Sequence, residues 1–220
     1  MAETTPPRVV RLKATGSADI DRIWRYYKDN LDEHLVSRSL ESIQACIGPE
    51  SREEDQSASA FVHVECEKGR IWGVLGAFDG DGDLPETELG GGIVTLNGFR
   101  LMRLMGRLQA ARIHTARPEA IVSATVFTKH RAMIERLRAL GFERWDDAPE
   151  QSMRAREQMA NGNSFDRYMA PKTALEAMTT MLRKYETVLV NTNAGTGAKL
   201  TIHLDHPLFA SLRLMSSSRE

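Results

Sequence analysis

Cysteine is scarce: the chain of 220 residues holds two, Cys46 and Cys66. Neither belongs to a Cys-x-x-Cys pair, which excludes a zinc ribbon and a thioredoxin-like redox motif. Two free thiols in a reducing compartment is the simplest reading, and a disulfide between them stays open. Aromatic residues make up 6% of the chain, and none interleaves with the arginines of segment 100–117, so stacking on single-stranded nucleic acid is not supported. Charge of one sign is also lacking. The net charge of -1 supplies no global field toward nucleic acid or an anionic membrane. No apolar run approaches the ~18 residues of a membrane span, and Met1 to Pro7 is polar, so neither a span nor a signal peptide is expected. The expected location is the cytoplasm, or a particle assembled inside the cell. Internal repeats and heptads are absent.

What is present suits one domain with an extension. Arg8 to Ala14 alternates as a short strand, and Asp19 is a good N-cap for a helix with Ile20, Ile23, Trp24, Tyr27 and Leu31 on one face. A second helix carries Leu40, Ile43 and Ile47. Ala60 to Glu67, Arg70 to Phe78 and Glu88 to Leu96 read as three strands joined by turn signals at Lys68-Gly69 and across Asp79 to Pro85. The third is unusual for Gly90-Gly91-Gly92. A glycine run in a strand predicts a bulge, or close approach by a ligand or another backbone. A helix over Arg100 to Ala116, a β-branched strand over Ala120 to Phe127 and a helix over His130 to Leu140 follow, the last closed by Gly141. Ser164 to Ala170 reads as a strand and Lys172 to Lys184 as a helix. Thr187 to Asn191 and Lys199 to Leu204 read as a hairpin.

The order strand, two helices, three antiparallel strands, helix, strand, helix, strand, with the ending Leu140-Gly141-Phe142, resembles the GNAT N-acyltransferase superfamily over roughly Val9 to Met169. The resemblance implies an α/β fold: a GNAT-like mixed, centrally splayed β-sheet flanked by helices. Residues 1–170 would form that domain, and residues 171–220 a C-terminal helix and β-hairpin extension. It also implies an acyl donor, acetyl-CoA or another acyl-CoA, lying where the fourth strand and its helix splay from the fifth. The contacts would come from Val94, Leu96, Asn97, Gly98, Arg100, Arg103 and Gly106. The family's pyrophosphate loop reads Arg/Gln-x-x-Gly-x-Gly/Ala ahead of the helix. Its nearest match here is Arg103-Leu104-Met105-Gly106-Arg107-Leu108, which keeps the Arg and the first Gly and lies inside the predicted helix. The tyrosine that protonates the leaving thiolate in many members is replaced by Leu137.

Three residues are candidates for acid–base work. Glu86 and Glu88 stand two apart on one strand and so share a face, and a carboxylate beside an amine site can take its proton. A solvated strand end is the plainer reading of both. His130 falls near the family's helical asparagine and titrates near neutrality; a helix cap is its plainer role. Arg100, Arg103 and Arg107, with Arg112 and Arg117 beyond, follow helical spacing and suit phosphates or an acidic surface, or a solvated helix face. Asp79-Gly80-Asp81-Gly82-Asp83 fails the EF-hand pattern and reads as an acidic turn. His203-x-Asp205-His206 lacks a third ligand, so no metal site is assigned. Ser123 and Thr125 have no His and Asp partners in view, which speaks against a hydrolase triad.

Two functions follow. The first is an acyl-CoA dependent N-acyltransferase acting on a small-molecule or protein amine. The second is a GNAT-like protein that has lost its chemistry and serves in assembly, for example in a phage virion. In the second case the C-terminal extension would carry a homo-oligomer or a larger assembly.

Overall fold

The computed structural model describes residues 9–14, 17–31, 39–46, 60–66, 69–80, 85–94, 99–150, 162–182, 187–191 and 199–203, with Met153, Glu157 and Ala160. In chain order these form β1 (Val9–Ala14), α1 (Ile20–Asn30), α2 (Leu40–Cys46), β2 (Ala60–Cys66), β3 (Ile71–Asp79), β4 (Glu86–Val94) and α3 (Phe99–Ala116). Then come β5 (Ile121–Phe127), α4 (Arg131–Ala139), β6 (Glu143–Arg144), β7 (Phe165–Met169), α5 (Lys172–Leu182), β8 (Thr187–Asn191) and β9 (Lys199–His203). The strands make one mixed sheet in the order β6-β7-β5-β4-β3-β2-β1-β9-β8. Pairing is parallel at β4–β5 and β1–β9 and antiparallel elsewhere.

Period-two alternation divides the buried residues between the two faces of the sheet. On one face Leu75, Ala77, Leu89, Val122, Ala124 and Val126 pack with α3, α4 and α5. The helices α3 and α4 belong on the same side because each is the crossover between strands running the same way through the sheet, and such crossovers are right-handed. On the other face Val74, Phe78 and Ile93 pack with Ile23 and Tyr27 of α1 and Ile43 of α2.

The helix α3 is buried almost all round, because the sheet covers one side and α5 covers another through Leu175 and Met178. Arg112 is therefore buried, and Arg103 and Arg107 are half-buried, where a solvated face was the plainer reading. Arg112 is 4% exposed and donates from Nε to Gln109 at 2.9 Å, while Gln109 donates to the Leu75 carbonyl at 3.3 Å. Burial lowers the Arg112 pKa to about 10; the nearby Asp79 works against that shift.

The strand β4 starts at Glu86, two residues before the expected Glu88, and is described to Val94; the expected end at Leu96 lies outside the described residues. The early start follows from the turn. Gly80 N–H bonds to the Glu86 carbonyl at 2.7 Å, and Asp79 accepts from Thr87 at 3.4 Å and Arg117 at 3.2 Å. At the end of α4, Gly141 takes φ +87°, and Phe142 N–H returns to the Leu137 carbonyl at 3.0 Å, the left-handed stop expected of a C′ glycine. The last two strands form the expected antiparallel hairpin, and β9 lies parallel beside β1 through Val9↔Thr201, Val10↔Ile202 and Arg11↔His203. Among the described residues no helix is long and apolar enough to cross a membrane, and no group of His, Cys, Asp and Glu is placed to hold a metal ion.

Candidate active site

The centre of the sheet comes apart at one point. The strands β4 and β5 pair in parallel from Glu86↔Ile121 to Leu89↔Ala124, and no further. Beyond that point β4 stays with β3 up to Gly73↔Val94, and β5 stays with β7 up to Phe127↔Phe165. A wedge therefore opens between Gly90 and Thr125. Its cause is visible in β4, where Gly91 and Gly92 together face Leu75 alone, one residue too many for a regular ladder. Gly91 sits at φ +60°, a conformation that side-chain-bearing residues rarely adopt. The extra residue bends the strand and increases its twist, turning its C-terminal half away from β5. At Gly92 a Cβ would meet Leu75 Cδ1 and Met102 Cε at 3.0 Å, so only a residue without a side chain fits without displacing them.

The wedge holds a cavity of about 90 Å³. Gly90, Gly91 and Gly92 form one wall and Ala124, Thr125 and Val126 the other. Met102, Arg103 and Gly106 reach it from α3, and His130, Met133, Arg136 and Leu137 from α4. No carboxylate among the described residues lines it. Burial pushes the pKa values of Arg136 and Arg107 down, and at Arg107 the charge of Arg103 adds to the shift. Arg136 at the cavity is thus partly dehydrated, and Arg103 at the cavity repels Arg107 beside it, a setting that favours an anionic ligand. Arg103 Nε and Thr125 Oγ1 are both sealed from solvent with no hydrogen-bond partner among the described residues. Both residues line this cavity, and buried polar groups of that kind are rare in folded proteins.

The face of the wedge toward α1 and α2 is polar. Glu88 is 1% exposed and lies in register with Ser123 on β5 and with Phe78 on β3, whose ring packs with α1 and α2. Alternation places Glu86, Glu88, Ser123, Thr125 and Arg167 on this one face. The Glu86 carboxylate accepts from the Arg167 guanidinium and from Ser123 Oγ, the latter at 2.5 Å. Arg167 also donates to Ser123 Oγ at 3.0 Å and stacks on Trp145 with its guanidinium 5.1 Å from the ring centre. Glu86 is therefore bound into an ion pair, and neither glutamate is the solvated strand end that composition suggested.

The other anticipated residues fall in different places. Gly106 lies in the interior of α3, where a Cβ would meet Leu140 Cδ1 at 3.2 Å. It lets α3 approach the end of α4, and its backbone belongs to the helix, not to a loop. His130 is the N-cap of α4, makes no side-chain capping bond and borders the cavity. Val94 is the last residue of β4 and Arg100 the second of α3, and only their backbones are described. Leu96, Asn97 and Gly98 lie outside the described residues, as do Asp205 and His206. Sequence reasoning did not single out Arg136 or Arg167. A usable signal existed for one of them: an arginine inside the strand Phe165–Met169 needs a buried partner.

No family model matches the sequence, and no curated protein matches it. Solved structures do match in fold. A spermidine N-acetyltransferase from Vibrio cholerae in complex with CoA and spermine is 11% identical, with a TM-score of 0.53 over 76% of this chain and 98% of that one. A dodecameric structure of spermidine N-acetyltransferase from Vibrio cholerae, in an intermediate state, is also 11% identical, with a TM-score of 0.50 over 74% of this chain and 94% of that one. The chain has the GNAT fold.

Proposed function

We propose that this chain is an acyl-CoA dependent N-acyltransferase with acetyl-CoA or another acyl-CoA as donor. The observation that carries the reading is the parting of β4 from β5 at a glycine bulge, opening onto a cavity beside Arg103 and Arg136 that no carboxylate among the described residues lines. Beyond Leu89 the edge of β4 toward β5 has no ladder partner, so its N–H and C=O groups face the wedge. These groups suit the amides of a pantetheine arm and the oxygen of a thioester, and Arg103 Nε suits a phosphate. The GNAT fold of the Vibrio cholerae enzyme solved with CoA and spermine supports the same donor and an amine acceptor.

The amine approaches from the α1–α2 side, past Trp24, which stacks on Tyr27 at 6.0 Å. Glu88 is the base: it is buried on this face, in register with Ser123, one residue before the pairing of β4 with β5 ends at Leu89. Positioning, a base and backbone polarisation of the carbonyl supply the catalysis, with Leu137 standing where a hydroxyl acid would otherwise be.

A second reading is a GNAT-fold protein with an assembly role and no chemistry. One observation favours it. The cavity has room for about three waters, and Met102 packs across Gly92 at its wall. Titration calorimetry with acetyl-CoA and desulfo-CoA, with light scattering for mass, separates the two. The acyltransferase reading expects micromolar binding that weakens in Arg103→Ala. No binding at millimolar concentration by a particle well above monomer mass rejects it in favour of assembly.

A further inference from the structure

We infer that the Thr125 hydroxyl positions the attacking amine, a role that rests on the acyltransferase reading. Along β5 the face toward α1 and α2 carries Ser123 and then Thr125. The Ser123 hydroxyl has a structural explanation in its bonds with Glu86 and Arg167. The Thr125 hydroxyl has none. Its register partner across the ladder is Arg167, which bonds to Glu86 and Ser123, and its own Oγ1 is buried with no hydrogen-bond partner among the described residues. Folding alone favours valine at such a position. Valine has the same shape, suits a β-strand, and buries no unsatisfied oxygen.

The location supplies a reason for threonine. Ala124 is the last residue of β5 paired with β4, and Thr125 is the first beyond it. Thr125 therefore stands at the apex of the wedge. It lines the cavity proposed for the thioester and shares a sheet face with Glu88, past which the amine comes. From there Oγ1 accepts one N–H of the amine and turns the nitrogen lone pair toward the thioester carbonyl carbon. The C–N bond forms and the C–S bond breaks. The amine proton passes to Glu88, the sulfur leaves as thiolate, and the proton later returns to it through water.

The test compares wild type, Thr125→Val and Thr125→Ser as full-length proteins, with acetyl-CoA as donor and spermidine and n-butylamine as acceptor probes. Thr125→Val is expected to raise the ligand-free unfolding midpoint by about 2–4 °C, because an orphaned hydroxyl is removed. It is expected to lower kcat/KM for the amine by at least about tenfold, the effect of one lost hydrogen bond in a closed site, with KM for acetyl-CoA unchanged. Thr125→Ser is expected to keep activity within about threefold of wild type, since it retains the oxygen. Unchanged turnover in Thr125→Val with an active wild type overturns this inference and leaves the acyltransferase reading standing. A drop in the midpoint of Thr125→Val also overturns it, because the hydroxyl then has a structural role. A wild type that neither binds acetyl-CoA nor acetylates either probe removes both.

Discussion

The two halves of β4 behave as different structures. From Glu86 to Leu89 the strand is laddered on both edges, to β3 and to β5, and its inward polar side chains are buried. From Gly90 to Val94 it keeps only β3, carries a bulge at φ +60°, and borders a cavity where the first half borders a neighbour. Nine consecutive residues thus act first as an anchor and then as a wall. The difference shows how a closed sheet acquires an interior site. The opening does not lie at an edge, where strands fray. It is forced at the centre by one surplus residue that only glycine accommodates, while the paired half keeps the sheet intact.

The anchored half is the more costly to disturb. Arg167→Ala leaves the Glu86 carboxylate buried without its cation and is expected to lower stability by about 3–5 kcal/mol. Denaturant unfolding measures this. Replacing both partners at once, with Glu86→Gln and Arg167→Met, is expected to cost far less than the sum of the single changes. Additive losses would mean that the pair does not brace the anchor.

Glu88→Gln probes the same half through chemistry. It is expected to lower kcat by about 10²–10⁴-fold, the worth of a general base, with the unfolding midpoint little changed. Steady-state kinetics beside a thermal melt give both numbers. A midpoint that falls while turnover holds would assign Glu88 to structure alone.

The open half is tested by Gly91→Ala. A side chain at φ +60° costs about 1–2 kcal/mol and favours a regular ladder, so the variant is expected to be moderately destabilised and to bind acetyl-CoA more weakly. Calorimetry that finds full affinity would separate the bulge from the site.

The smallest effect is expected at the second buried arginine. Arg112 donates to the neutral Gln109 and feels the nearby charge of Asp79. Its folded pKa of about 10 lies below the ordinary arginine value, so the unfolded chain holds that proton more tightly. The charge therefore costs stability at neutral pH, and its share of stability rises as the pH climbs above about 10 toward the ordinary arginine value. Arg112→Met removes that cost and leaves Gln109 with one bond fewer, so the net change at pH 7 is expected within about 1 kcal/mol. The alkaline rise should vanish in the variant, as unfolding curves at pH 9 and pH 11 would show.

Periodicity and turn chemistry in the sequence alone settled the order of the elements. They also pointed to Gly90-Gly91-Gly92 as a bulge or a place of close approach, because a glycine run inside a strand has few other uses. These features are local: each depends on residues within a turn or a strand of one another. The polar cluster was decided only by the tertiary structure. Glu86 and Arg167 are 81 residues apart in sequence and meet because β4, β5 and β7 lie side by side. Nothing near either residue announces the other. The burial of Glu88, the orphaned hydroxyl of Thr125 and the meeting of Arg103 and Arg136 at one cavity have the same origin. Each depends on which strands are neighbours, which face turns inward and what packs above it, and those are properties of the assembled sheet.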